Sequence, residues 1–373
     1  MKAQASSVRT LVIGGGQSGL VMAYYLRKAG EDFIILEADR RVGDSWRRRY
    51  DSLRLFSTPR YASLPGWRIS PAGPFPTRDE MADYLEAYAA RFLLPVCTNA
   101  AVRRVSRAPD GGFLVETSRG DYRAERVVVA TGMHTVPRVP RLASQLDPGI
   151  RQLTSIGYRN PGEFAPGGVL VVGAGNSGTD IALDAAAAGH RTWIAGRHPG
   201  QVPFDIDSPR SRLLIPLVMF VFRHVLTVRT PPGRKQRRNG LGHGVNLVRN
   251  KVADLDAAGI TRIGRIQSVV DGRPVSEDGI CPDTATVVWS TGSDPDHSFL
   301  DLPLRYADDG LPRHDRGVAE EPGLYFLGLF FQYALASETI QGLSRDARWI
   351  VRQLGRASVT SRPEQQAALP SAA

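Results

Sequence analysis

The 373-residue sequence predicts an α/β protein of two Rossmann-type dinucleotide-binding domains in a three-layer ββα arrangement, the second inserted into a discontinuous first. Three observations predict it. GGGQSG at Gly14 to Gly19 stands between an apolar, strand-like run and a helical pattern. GAGNSG at Gly173 to Gly178 stands in the same context. Two later apolar runs, RVVVATG ending at Thr131-Gly132 and TVVWSTG ending at Thr291-Gly292, each read as a strand that closes one unit.

The residue types in the two turns have separate tasks. The first glycine (Gly14, Gly173) permits the tight strand-to-helix turn. The second (Gly16, Gly175) lets the backbone approach a pyrophosphate, and the third (Gly19, Gly178) lets helix and strand pack closely. Gln17 and Ser18, and Asn176 and Ser177, then open helices whose free N–H groups and positive dipole end face the phosphates.

The strand after each helix separates the two sites. After the first helix, DFIILEAD reads as a buried strand ending at Glu37, and a carboxylate there accepts hydrogen bonds from both ribose hydroxyls. The first site therefore suits FAD or NAD. After the second helix the matching strand ends in Gly196-Arg197-His198, and an arginine in that place pairs with a 2′-phosphate. This second site is expected to select NADPH.

Between the units, residues 41–75 are irregular and aromatic-rich. A helix is expected over PTRDEMADYLEAYAARF, capped near Thr77, with Met81, Tyr84, Leu85 and Tyr88 on one face. Pro95 to Val129 alternates as a β-meander with a turn at Pro109 to Gly112. Pro137 and Pro140 stiffen the subsequent crossover. A strand at Leu324 to Leu327, a helix from about Glu338 to Leu354 and a polar, disordered tail complete the chain. The expected division is 1–155 and 293–355 for the first domain, 156–292 for the second and 356–373 for the tail.

Composition bounds the function. The net charge of +10 comes almost wholly from arginine, since Lys2, Lys28, Lys235 and Lys251 are the only lysines. The arginines are dispersed, so anionic dinucleotides and acidic small molecules are expected as partners, and nucleic acid is not. Cys97 and Cys281 form no C-x-x-C pair, and the seven histidines show no metal-ligand spacing, so neither a redox dithiol nor a metal is expected. MKAQASSVRT lacks the apolar core of a signal peptide, and a cytoplasmic location is expected. The run LLIPLVMFVF, Leu213 to Phe222, is too short to span a bilayer and holds Pro216. It either lines the path by which substrate enters or, with the basic cluster Arg234 to Arg238, lies on an anionic membrane surface; lining is the favoured reading.

The paired glycine turns, Glu37, Arg197, the two strand ends and the stretch GDSWRRRYDSLRLFSTPRYASLP together resemble class B flavin-dependent monooxygenases over about residues 9 to 352. The short bacterial members are the nearer likeness and the plant YUCCA-type enzymes a more distant one. The resemblance implies FAD at Gly14, Gly16, Gly19, Glu37 and Trp46, and NADPH at Gly173, Gly175, Asn176, Ser177, Gly178 and Arg197. It also implies a C4a-(hydro)peroxyflavin that oxygenates nitrogen, sulfur or a carbonyl carbon, such as that of a 2-oxo acid, in a small hydrophobic substrate with O2. The flavin-facing late segment is expected in the Phe330 to Gly342 run, less so at Asp301.

One departure stands out. In LDPGIRQLTSIGYRNP, Ser155 and Tyr158 fit the family's linker motif, but Thr154 occupies the histidine position. Since a flavin supplies the hard chemistry, the protein's task is orientation and dryness. Thr58, in the FSTP turn where related enzymes often place an asparagine, is the candidate catalytic hydroxyl, while His134 reads as a structural histidine near the domain cleft. The alternatives are a flavin-dependent NADPH reductase that inserts no oxygen and a non-catalytic dinucleotide sensor; a monomer or homodimer is expected.

Overall fold

A computed structural model describes residues 5–202, 211–240 and 246–360. The first sheet is parallel through its centre. Strand Ser6–Ile13 lies between Phe33–Leu36 and Tyr122–Val129, with Val96–Cys97 beyond the former and Leu324–Phe326 beyond the latter. Successive side chains of a strand point to opposite faces, and the buried runs TLVI and RVVV use both. Val12 and Val128 face a helical layer formed by Gln17–Lys28, Arg78–Arg91 and Ile340–Thr360, with Leu20, Met81, Leu85 and Ile350 in its core. Leu11, Ile13, Val127 and Val129 face the antiparallel strands Val102–Arg107 and Phe113–Thr117, where Val105, Phe113 and Val115 are buried. The result is the expected three layers.

The second sheet is parallel throughout, in the order Thr261–Ile263, Thr192–Ala195, Val169–Val172, Thr286–Trp289, Arg151–Thr154. The chain crosses to it at Val136–Pro137 and returns at Ser293–Asp294, and these two short strands pair with each other antiparallel. The Arg138–Asp294 ion pair reinforces that ribbon.

Local expectations were met where a cap or a period fixed them. Arg78–Arg91 begins at Thr77, whose side chain accepts from the Glu80 N–H while Glu80 accepts from the Thr77 N–H, a capping box. Three boundaries differ. Arg151–Thr154, expected on the first-domain side of 155, hydrogen-bonds to Thr286–Trp289 in the second sheet. Val96–Cys97, expected to begin the meander, instead extends the parallel sheet beside Phe33–Leu36. The last helix runs to Thr360, into the stretch expected to be disordered, and the rest of that stretch lies outside the described residues.

Candidate functional site

The first glycine turn is shaped by steric limits. Gly14 has φ +103°, and a Cβ there would stand 2.8 Å from the Ala130 carbonyl oxygen. A Cβ at Gly19 would stand 1.8 Å from the Gly14 carbonyl oxygen, so helix Gln17–Lys28 can approach the strand only without a side chain here. At Gly16 a Cβ would meet no protein atom within 4 Å, so packing within the fold does not require a glycine here. Glu37 comes directly after strand Phe33–Leu36, and its carboxylate accepts the Gly15 N–H at 2.7 Å and the Asp39 N–H at 2.9 Å. Burial raises its pKa, against the lowering effect of those two bonds. Trp46 donates its indole N–H to Gln17 Oε1 at 3.2 Å, which brings two of the expected residues together. Ser18 is buried, with Gly328 packed against its hydroxyl. At the closing strand the Thr131 hydroxyl is buried with no hydrogen-bond partner among the described residues, and Gly132 beside it has φ +82°. An orphaned hydroxyl costs about 1–3 kcal/mol. Together with the open face at Gly16, it fits a polar ligand lying along this edge.

The second turn repeats the device. Gly173 has φ +114° and a Cβ there would stand 2.2 Å from the Ser290 carbonyl oxygen; one at Gly178 would stand 1.8 Å from the Gly173 carbonyl oxygen; one at Gly175 would meet nothing within 4 Å. Arg197 is exposed and adjoins Gly196, whose Cβ would lie 3.8 Å from the Ala174 N, so the arginine stands beside the glycine turn. Three residues expected at this site, Asn176, Thr291 and Gly292, are otherwise engaged. The Asn176 amide donates to the Asn246 carbonyl at 3.2 Å and accepts the Val248 N–H at 3.2 Å, holding that segment against the turn. The Thr291 hydroxyl donates to the Arg138 carbonyl, and Gly292 accepts the Arg138 N–H at 2.9 Å, so both serve the crossover ribbon.

A polar latch between the domains had no sequence signal. Tyr50 donates to Asp180 Oδ2 at 2.9 Å, Arg249 meets both Asp180 oxygens at 2.7 and 2.6 Å, and Ser177 hydrogen-bonds to Tyr50. Nearby, Ser52 and Tyr158 donate to Asp184 at 2.6 and 3.2 Å. Burial raises the pKa of Asp180 while the Arg249 guanidinium opposes it. The aromatic stretch after Asp44 is thereby bound to helix Asn176–Ala187. Tyr50 and Asp180 are 130 residues apart, beyond the reach of any local pattern. Thr154, in the histidine position, accepts the Gly157 N–H at 3.1 Å and closes a turn, while Tyr158 stacks on Phe164 with centroids 5.1 Å apart. The linker is anchored by packing.

Thr58 precedes the short helix Pro59–Ala62. Its carbonyl accepts from the Tyr61 and Ala62 N–H groups, but its hydroxyl makes no capping bond. That helix opens one side of a cavity of about 660 Å³; Met219, Phe220 and Arg223 form another side and Ile340 and Gln341 a third. The apolar run thus lines a cavity, although Leu217 and Phe220 are also 60% and 56% exposed. His134 holds Ser293 Oγ at 2.9 Å across the crossover, a structural contact. Asp301 pairs with Arg104 on the surface. Among the described residues no His, Cys, Asp or Glu cluster could hold a metal, and no helix is long and apolar enough to cross a membrane.

Two glycine turns at parallel-sheet edges, one closed by a carboxylate and one by an arginine, define a flavin- and nicotinamide-dependent oxidoreductase. Residues 11–223 match the pyridine nucleotide-disulphide oxidoreductase family, and the chain belongs to it. It is similar to the uncharacterized oxidoreductase CzcO-like of Geobacillus kaustophilus, 34% identical over 93% of this chain and 98% of that one. It is 27% identical to the probable indole-3-pyruvate monooxygenase YUCCA3 of Arabidopsis thaliana, over 90% of this chain and 84% of that one. Among solved structures, the flavin-containing monooxygenase from Stenotrophomonas maltophilia superposes with a TM-score of 0.72 at 28% identity, covering 95% of this chain and 99% of that one. Within its family the chain is class B flavin monooxygenase-like. Its two cysteines lie apart, Cys97 in the first sheet and Cys281 exposed after the second unit's antiparallel hairpin Ile266–Ser276.

Proposed function

We propose that the chain is an NADPH-dependent flavin monooxygenase that holds FAD at the Gly14 turn and NADPH at the Gly173 turn, and oxygenates a small hydrophobic organic molecule with O2. The observation that carries this reading is the pairing of two sterically matched turns with opposite chemical ends, Glu37 against Arg197. Bound flavin would take a hydride from the nicotinamide and deliver oxygen from O2 to the substrate.

The chain's own residues bind and orient. Helices Gln17–Lys28 and Asn176–Ala187 each aim unpaired N–H groups at a pyrophosphate. Glu37, held by two backbone N–H groups, faces a ribose diol. Thr131 gains a partner for its buried hydroxyl. Arg197 pairs with a 2′-phosphate, a charge-assisted contact of about 1.5–3 kcal/mol. Thr58, whose hydroxyl is not spent on the helix it precedes, donates to the reacting oxygen or the nicotinamide amide. Tyr50, which donates to the Asp180 that Arg249 also holds, would tie the stretch after Asp44 to the nicotinamide-binding unit.

The test is anaerobic reduction with NADPH followed by rapid mixing with O2 and observation of flavin absorbance. Reoxidation in two phases, with a long-lived absorbing species between them, is the expected result. A single phase that releases hydrogen peroxide under every substrate tried would replace this proposal with a reductase.

A further inference from the structure

The cavity beside Thr58 has a one-sided charge distribution. Its lining includes Arg60, Arg68, Arg223 and His224, and no carboxylate among the described lining residues. Arg60 and Arg68 are exposed at its rim, and neither makes an ion pair among the described residues. Arg223 lies deeper. Its Nε donates to the Gln341 carbonyl at 3.2 Å and its Nη2 to the same oxygen, which leaves Nη1 for a ligand, and burial, followed by the Arg345 and Arg348 charges, lowers its pKa. His224 is lowered by burial and by the same Arg345 and Arg223 charges.

Local acids offset this field only in part, through the pairing of Asp346 with Arg345. Asp346 is fully buried and is engaged by Arg345 at 3.1 Å and Ser337 at 2.6 Å. Glu338, two residues before the lining residue Ile340, is pushed by burial up to about 7, which leaves it a weak counter-charge near neutral pH. Like charges gathered in a partly desolvated pocket cost free energy unless a bound anion offsets them. The remaining wall supplies an apolar seat, with the rings of Tyr61, Trp67 and Phe220 beside Met219 and Pro216. A volume of about 660 Å³ is that of a site for a small organic molecule.

We infer that this cavity is a specificity site for an organic anion, a molecule with an aromatic or similarly bulky apolar body and one carboxylate, the carboxylate bound by Arg223 with Arg60 and Arg68 at the rim. Calling that molecule the substrate rests on the proposed function. The binding itself does not.

The test is isothermal titration of the flavin-loaded, oxidised enzyme, without nicotinamide, with three probes of one shape: 4-phenylbutyrate, 4-phenylbutanamide and 4-phenylbutylamine. The acid is expected to bind about tenfold or more tighter than the amide, as a charge-assisted arginine–carboxylate pair requires, and the amine weakest. Added NaCl should weaken the acid and leave the amide unchanged. Arg223→Gln should remove most of the acid's advantage, and Arg68→Gln, at an exposed position that holds no backbone, part of it. Equal binding of acid and amide, no binding of any probe, or variants that weaken both probes equally would overturn the inference. If the acid binds selectively but the NADPH and O2 experiment shows only peroxide release, the monooxygenase proposal fails and the anion site stands.

Discussion

The two glycine turns are sterically alike and chemically unlike. In both, the third glycine is forced by a carbonyl oxygen that a Cβ would approach to 1.8 Å, and in both the middle glycine faces no protein atom. The surroundings then diverge. Helix Gln17–Lys28 buries Leu20, Val21, Met22 and Leu26 against the sheet and the last helix, so the first unit is held by apolar packing. Helix Asn176–Ala187 carries Asp180 where the first helix has Val21; Tyr50 of the other domain donates to Asp180, and Arg249 of the same domain pairs with it. The shape of each turn is thus a property of the backbone, whereas the chemical ends, Glu37 and Arg197, and the Tyr50–Asp180 contact belong to single side chains.

The strongest way to break that comparison is to fill the glycines. Gly19→Ala and Gly178→Ala place a carbon against backbone that cannot move alone, and overpacking of this kind costs about 1–3 kcal/mol or more. Both variants should lose several °C in thermal unfolding. Gly16→Val and Gly175→Val each add a Cβ that meets no protein atom within 4 Å, so each should keep the melting temperature of the natural protein stripped of cofactor, and lose its ligand. Gly16→Val should be purified colourless, and Gly175→Val should remain yellow while NADPH fails to reduce it. A yellow Gly16→Val protein would show that the first turn does not hold the flavin.

Arg197→Ala tests the chemical end of the second turn. With only the 2′-phosphate contact removed, kcat/KM for NADPH should fall by about tenfold to a hundredfold and that for NADH should change little. Equal losses would assign Arg197 to some other task.

Features carried by a local period or a local steric rule were legible before the structure: both turns, Glu37, the capped helix at Thr77, and the burial of Met81, Tyr84, Leu85 and Tyr88. The features that escaped sequence reading depend on distant partners. The strand Arg151–Thr154 has no strong alternation of its own and is fixed by pairing with Thr286–Trp289, so the expected boundary at 155 falls beyond it. Thr291 resembles Thr131 in sequence, yet its hydroxyl meets the Arg138 carbonyl because the crossover passes there. The latch at Asp180 reads locally as a polar residue on an amphipathic helix. Only the fold shows that it is buried against Tyr50.

A smaller effect is expected at Thr58. Because its hydroxyl makes no capping bond, Thr58→Val should leave stability, flavin content and the rate of NADPH oxidation largely intact. Loss of one hydrogen bond near the reacting oxygen costs about 1–3 kcal/mol, so hydrogen peroxide formed per NADPH consumed should rise several-fold in the presence of a true substrate. An unchanged ratio would reduce Thr58 to a turn residue.

The smallest effect concerns Glu338, a carboxyl in the late segment that approaches both the first unit and the cavity. Burial raises it from 4.5 to about 7. The raised value means that the folded chain binds a proton that the unfolded chain releases. Stability is therefore unaffected by this group below about pH 4.5, declines as pH rises from there to about 7, and stays lowered above that. Glu338→Gln removes the ionisation while keeping the shape. Its melting temperature should match that of the natural protein at about pH 4.5 and exceed it by a few °C at about pH 8, with the gap opening between those values. A gap that is constant across the pH range would show that Glu338 is ionised at little cost in the folded chain, and its carboxylate would then count as a counter-charge to Arg223.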